Sequence, residues 1–188
     1  EAEWDSNVAI TLRYSRGDAD DAFAKAAHVV SETFRSHRQI ASPIETRGTV
    51  ALFDPDGNLR LWSSTQTPHQ LRDFLVKFFD LSPDRVRVKA ADVGGGFGPK
   101  GALYPEDLLC VHLARRIGRP VKWIEDRSEH FVATAHGREQ LHRIELAADE
   151  DGRLLAVRDE IVHDAGAYNM LGLVVPHNSL SHLTGPYR

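Results

Sequence analysis

The chain is 188 residues long, 41% hydrophobic and 27% charged, with 14 glycines and 9 prolines, a make-up that excludes collagen, coiled coil and long disorder and fits one compact domain or two small ones. Its 23 basic against 27 acidic residues give a net charge of −4, without the excess of Lys and Arg that a phosphate-tracking surface needs, so no nucleic acid partner is expected. The single cysteine, Cys110, rules out an intrachain disulfide and any multi-cysteine zinc or iron–sulfur site built from this chain alone. That composition fits a reducing compartment, expected to be the cytoplasm. No apolar run approaches the roughly 20 residues that span a bilayer, and Glu1-Ala2-Glu3-Trp4-Asp5 is too acidic to start a signal peptide. The chain begins without Met and stops at Gly185-Pro186-Tyr187-Arg188 directly after an apolar stretch, so a piece of a longer polypeptide or one part of a split subunit is expected.

Asp18-Ala19-Asp20-Asp21 puts caps and negative charge before an Ala-rich stretch, predicting a short helix through Ala27. A strand is expected over residues 28–40. Two β-type runs, 48–54 and 58–64, flank Pro55-Asp56-Gly57, a hairpin turn whose Pro fixes φ and whose Gly tolerates positive φ. Thr67-Pro68 supplies an N-cap and a first-turn proline, and Leu71, Phe74, Leu75 and Phe78 recur at helical spacing until Ser82-Pro83-Asp84. A strand over 86–93 runs into Gly94-Gly95-Gly96-Phe97-Gly98-Pro99-Lys100-Gly101. Behind this loop Pro105, Glu106 and Asp107 open a helix carrying Leu108, Leu109, His112 and Leu113, which Arg115 and Arg116 end before Gly118. A short strand at 121–125, a helical turn with a loop over 127–136, and a hairpin of 140–148 with 153–163 complete the pattern. Hairpins mixed with helices predict an α+β fold with a mixed sheet, and without repeats or linkers a single domain over 1–188 is the simplest organisation.

Glycines at 94, 95, 96 and 98 leave a backbone with almost no side chains, so amide N–H groups can approach a ligand closely and present several donors to an anion or oxo group. A tight turn with no ligand is the plain alternative; the position between strand and helix favours the functional reading. Gly96, Gly98 and Gly101 also satisfy GxGxxG, with Glu125 or Asp126 downstream as a ribose contact, so an NAD- or FAD-binding module is the competing function. A purely structural role is a third. A Walker A loop fails, because Lys100 is followed by Gly101 with no Ser or Thr. The ten histidines form no metal signature. Cys110, between Leu109 and Val111, reads as a small buried hydrophobe rather than a nucleophile. The residues alone indicate a site at the glycine loop and name no reaction.

Trp62-Ser63-Ser64-Thr65-Gln66-Thr67-Pro68-His69, followed by Asp92-Val93-Gly94-Gly95-Gly96-Phe97-Gly98-Pro99-Lys100, closely resembles the molybdopterin-binding subunit of the xanthine dehydrogenase and aldehyde oxidase family, nearest its branch of aerobic carbon monoxide dehydrogenase large subunits. Further blocks carry the same resemblance: Pro43-Ile44-Glu45-Thr46-Arg47-Gly48, Gly118-Arg119-Pro120-Val121-Lys122-Trp123 with Glu125-Asp126-Arg127-Ser128-Glu129, His136-Gly137-Arg138, and Asp164-Ala165-Gly166-Ala167-Tyr168. The resemblance implies the first molybdenum-cofactor-binding domain of a molybdenum hydroxylase, acting on an aldehyde, an N-heterocycle or carbon monoxide with oxygen from water. It implies a molybdenum-molybdopterin cofactor, as a dinucleotide, with 2Fe-2S clusters and FAD on partner subunits or domains. The expected partners are the remaining molybdopterin-binding domain, an iron–sulfur subunit and an FAD subunit, in a hetero-oligomer.

Within the family the glutamine of the first block hydrogen-bonds an oxygen ligand of molybdenum, and the backbone amide at the loop Phe lies beside the metal. By resemblance, then, Gln66 and Phe97 stand around the metal without ligating it, and Gly95, Gly96 and Gly98 allow close approach of the cofactor. A neutral amide and backbone N–H groups suit a metal already held by its organic cofactor. Lys100 reads as a structural or surface charge. Xanthine-type members carry a substrate-binding glutamate four residues after the loop Phe, where this chain has Gly101, and their substrate arginine falls near Asn178; purine binding in the xanthine manner is therefore not expected. No catalytic residue is expected within this chain, since the family's general-base glutamate lies beyond Arg188. Glu45, Glu106 and Glu129 read as strand-end, helix first-turn and loop charges.

Overall fold

The structure, a computed structural model, describes residues 6–168 and 173–183. The expectations for Glu1–Asp5 and Gly185–Arg188 lie outside the described residues. In chain order the elements are α1 (Ala19–Lys25), β1 (His28–Ser36), β2 (Gln39–Ile40), β3 (Gly48–Phe53), β4 (Leu59–Ser63), α2 (Pro68–Phe79), β5 (Val86–Lys89), α3 (Pro105–Ile117), β6 (Val121–Ile124), α4 (Arg127–Ala133), β7 (His136–Gly137), β8 (Gln140–Ala148), β9 (Leu154–His163) and α5 (Val174–His182). Helices, antiparallel hairpins and one parallel strand pair give the α+β architecture that the patterning predicts.

The described residues form two compact units: residues 6–37, 138–164 and 173–183 make one, and residues 38–137 with 165–168 make the other. The expected strand over 28–40 is split at this boundary. β1 pairs antiparallel with β8 in the first unit, whereas β2 pairs with β7 in the second.

In the first unit a three-stranded antiparallel sheet runs β1-β8-β9. The β8–β9 turn is closed by Asp149, whose carboxylate accepts from the Asp151 and Arg153 amides, and by Gly152 at φ +79°. Asp18 caps α1 by accepting from the Asp21 amide. The helix ends at Lys25, earlier than predicted. Arg158 on β9 holds α1 in place, its guanidinium lying 4.4 Å from the Phe23 ring centre and donating to Asp20 at 2.6 Å.

The second unit is built on a four-stranded sheet, β5-β4-β3-β6, in which β4 and β5 are parallel and joined through α2. Alternation sends Ala51, Leu59, Leu61 and Val86 to one face, where they meet Leu71 and Leu75 of α2 and Cys110, Val111 and Ala114 of α3. Asp107, Cys110, Val111 and Ala114 follow i, i+3, i+4, i+7 spacing and form the buried stripe of α3, while Leu109 and Leu113 are exposed. On α2 the buried positions are Leu71 and Leu75; Phe74 and Phe78 stack on each other at 5.8 Å toward solvent. Cys110 is buried as expected, and burial beside Asp107 and Glu106 raises its thiol pKa, which suppresses the thiolate.

The strand predicted over 86–93 stops at Lys89. β5 is an edge strand paired only with β4, and their register ends at Trp62 opposite Lys89. Beyond it the backbone turns to Glu45, which binds both the N–H and the C=O of Gly94. Pro99–Gly101 form a single 3₁₀ turn before α3 begins at Pro105.

Leu75 has no solvent access. Leu75→Ala is expected to lower stability by about 2–5 kcal/mol, seen as a fall in the urea midpoint with an unchanged slope of the unfolding transition.

Candidate functional site

The loop after β5 faces the segment that links β4 to α2. Thr65 turns that segment: its hydroxyl accepts from the Thr67 amide and donates to the Lys100 carbonyl, and the Gln66 amide donates to the same carbonyl at 2.9 Å. Thr67 carries its expected helix-starting proline, yet its hydroxyl donates to the Gly101 carbonyl instead of capping α2. Gln66 is thereby fixed against the loop at the backbone level.

The side chain is fixed as well. Gln66 Oε1 accepts from the Gly98 amide at 3.0 Å. Because a backbone N–H can only donate, this bond assigns the oxygen of the carboxamide inward, and Nε2 is left as an outward donor on an exposed residue. Gly96 allows the contact: a Cβ there would stand 2.7 Å from Gln66 Cγ and 2.5 Å from Cδ, closer than real Cβ atoms come. The backbone passes through the left-handed region at Gly95 (φ +97°), Phe97 (φ +54°) and Gly98 (φ +103°). Phe97, a non-glycine residue held there, is three-quarters exposed. Among the described residues the amides of Gly96 and Phe97 have no acceptor, whereas those of Gly94, Gly95 and Gly98 are bonded within the unit. The structure therefore brings Gln66, Gly95, Gly96, Phe97 and Gly98 into one patch with three N–H donor groups that have no partner among the described residues.

That donor set suits a group with electronegative atoms whose metal, if any, is held by its own ligands. Among the described residues no three His, Cys, Asp or Glu side chains gather as a metal-binding group. A cofactor-held metal contacted only through neutral N–H donors fits these residues.

Glu45, read from sequence as a strand-end charge, lies instead at the base of the loop. Its Oε2 accepts from the Gly94 amide at 2.8 Å and from Lys100 Nζ at 2.7 Å. Burial by itself disfavours this carboxylate, but the Lys100 bond and the Gly94 amide outweigh it and hold its pKa below the ordinary 4.5. Lys100 is indeed structural, and its side chain is fully buried. Glu129 is more than a loop charge: with Asp126 it forms a reciprocal capping box that starts α4.

Behind the loop lies a buried ionic cluster that sequence reasoning missed. Arg47 donates to Glu125 from Nε at 3.0 Å, Nη2 at 2.6 Å and its own amide at 3.0 Å, and to Glu106 from Nη1 at 3.1 Å. Its guanidinium stacks 3.7 Å from the centre of the Tyr104 ring. Glu125 also binds His130 Nδ1 at 2.9 Å and the Thr134 hydroxyl at 3.1 Å. In the sequence, residues 47, 106, 125 and 130 carry no shared spacing; only the fold joins them.

The cluster also leaves the dinucleotide alternative without its ribose contacts. Glu125, one candidate ribose contact, is sealed within this cluster, and Asp126, the other, is committed to capping α4. α3 begins four residues past Gly101, so the GxGxxG glycines do not open a helix onto a pyrophosphate.

Comparison with known proteins points elsewhere. The molybdopterin cofactor-binding domain family matches residues 2–188. The nicotine 6-hydroxylase large subunit of Paenarthrobacter nicotinovorans is 42% identical over 165 residues, covering 87% of this chain and 20% of the relative. The carbon monoxide dehydrogenase large chain of Hydrogenophaga pseudoflava is 38% identical over 151 residues, 80% of this chain and 19% of its own length. The crystal structure of quinoline 2-oxidoreductase from Pseudomonas putida 86 superposes with a TM-score of 0.77 at 42% identity, covering 85% of this chain and 20% of that one. The chain thus spans about a fifth of the length of these proteins.

Two outcomes test the geometry. Burial disfavours ionised Glu125, but the Arg47 side chain and amide and His130 outweigh it, so its pKa lies below the ordinary 4.5. A carboxylate lowered in this way stabilises the fold fully above its unfolded pKa and loses that stabilisation as pH falls through its folded pKa. Glu125→Gln is therefore expected to cost about 3 kcal/mol at pH 7, with the gap to wild type closing only below pH 4.5 in urea denaturation. Gly96→Ala is expected to displace the Gln66 carboxamide, which exchange broadening or loss of the Gly98 amide NMR signal would report.

Proposed function

Because the chain belongs to the molybdopterin cofactor-binding domain family, we propose that it forms one wall of the molybdenum-cofactor site in a molybdenum hydroxylase, with Gln66, Gly95, Gly96, Phe97 and Gly98 facing the cofactor. The observation that carries this reading is the donor patch: two backbone amides without a partner among the described residues, beside a carboxamide whose oxygen is taken by the Gly98 amide. Once bound, molybdenum in its pterin dithiolene would supply the two-electron redox chemistry of the reaction. This chain's own contribution is to hold and orient. The Phe97 and Gly96 amides and Gln66 Nε2 donate to acceptor atoms of the cofactor, and their neutrality leaves the metal's charge to its own ligands.

The substrate reading favoured here is an aromatic N-heterocycle, hydroxylated with oxygen derived from water. It is supported by the names of two of the similar proteins, which refer to nicotine and quinoline. The xanthine manner of purine binding has no support: Gly101 stands where that branch carries a glutamate, and nothing lies within 4 Å of where its Cβ would be. Oxidation of aldehydes or of carbon monoxide with water-derived oxygen stays within the chemistry of the family. The general base, the second molybdopterin-binding domain, the 2Fe-2S clusters and the FAD are assigned to other segments or subunits of a hetero-oligomer. The "large subunit" and "large chain" in the relatives' names support an assembly of several chains. A cytoplasmic location agrees with the lone buried cysteine and with the described residues, which hold no helix long and apolar enough to cross a membrane.

The test uses the longest native polypeptide containing this chain, purified with its partner subunits. Near-stoichiometric molybdenum with the fluorescence of oxidised pterin is expected, together with turnover on a heteroaromatic panel. Gln66→Ala is expected to lower turnover about 10- to 100-fold with the circular dichroism spectrum unchanged. Full activity in that variant at full molybdenum loading would refute the role of Gln66.

A further inference from the structure

The glycine loop is closed at its base by one carboxylate. Glu45 Oε2 accepts from the Gly94 amide at 2.8 Å, at the near end of the loop, and from Lys100 Nζ at 2.7 Å, at the far end. The Glu45 amide returns a bond to the Gly94 carbonyl at 3.2 Å. The Lys100 side chain has no exposure, while that of Glu45 is 42% exposed. A lysine in a glycine-rich surface loop would ordinarily keep its ammonium in water, because burying it costs free energy that only a well-placed counter-charge offsets. Here the ammonium is inside and its counter-charge is Glu45. The Lys100 carbonyl, meanwhile, accepts from the Gln66 amide and the Thr65 hydroxyl. One residue thus ties the Gln66 backbone to the loop and, through Glu45, ties the two ends of the loop to each other.

We infer that Glu45 and Lys100 are positioning residues for the cofactor, a charge clamp across residues 94–100 that sets the apex so that the Gly96 and Phe97 amides and Gln66 Nε2 meet the same bound group. The inference rests on the molybdenum-cofactor reading above. Neither residue is assigned contact with the cofactor or substrate; both act through the loop. A clamp of this kind needs the bond from the Lys100 ammonium to the Glu45 carboxylate and an acceptor for the Gly94 amide, and these two requirements are separable by substitution.

The experiment uses the complete molybdenum subunit with its partner subunits, each sample matched for molybdenum content. Glu45→Gln keeps an acceptor for the Gly94 amide but leaves the Lys100 ammonium without a counter-charge; Lys100→Met removes the ammonium and leaves the carboxylate. Each is expected to lower kcat about 10- to 100-fold with little change in KM, and to shift the Mo(V) electron paramagnetic resonance spectrum of the partly reduced enzyme. The pair Glu45→Gln/Lys100→Met keeps the Gly94 acceptor and removes both charges, but no hydrogen bond then joins residue 100 to residue 45, so it is expected to stay as impaired in kcat as Lys100→Met and to keep the shifted spectrum. A native spectrum and kcat in folded, loaded single variants would overturn the inference, as would a double variant with wild-type kcat and spectrum. If a single variant does not fold, the double variant against wild type decides: an altered spectrum supports the clamp and a wild-type one overturns it. Failure of the cofactor reading looks different, since the wild-type protein itself would then hold neither molybdenum nor pterin.

Discussion

A guanidinium closed off from water organises the unit that carries the loop. Arg47, just before β3, binds Glu125 past the end of β6 and Glu106 in the first turn of α3, while Glu125 in turn binds His130 and Thr134 on and just after α4. Each ion is expensive to bury alone, so the pairings act together or not at all. The loop patch proposed to face the cofactor is therefore backed by a hydrogen-bonded polar interior, which is what a site needing fixed donor directions requires.

On that support the loop presents its backbone as the proposed recognition surface. Gly96 approaches Gln66 where no Cβ fits, and the Gly98 amide consumes the carboxamide oxygen so that the nitrogen faces out. The loop thereby decides which end of Gln66 a ligand meets. A glutamine without that inner bond would offer either end, with no preference between donor and acceptor.

Much of this was legible in the sequence. The hairpins, α2, α3 and β6 follow from alternation, from Pro at first helical turns and from Gly118 past the end of α3. The glycine loop announced itself as exposed backbone, and the Gln66 and Phe97 blocks carried a family resemblance that the comparisons establish. Misreadings arose where tertiary partners overrode local pattern. The strand through 93 stops at Lys89 because an edge strand with one neighbour yields to Glu45. The strand through 40 breaks because its two parts pair with different partners, β8 and β7. Phe74 fitted the helical period of Leu71 and Leu75 but lies toward solvent.

The sequence by itself determined the element types, the buried residues Leu71, Leu75 and Cys110, and the glycine-rich loop between strand and helix, because periodicity and glycine content act over short stretches of chain. Only the tertiary structure decided the roles of the charged residues. Glu45 and Lys100, or Arg47 and Glu125, meet across 55 and 78 positions of chain, and whether a charge is solvated or sealed depends on what packs around it, which no local pattern encodes.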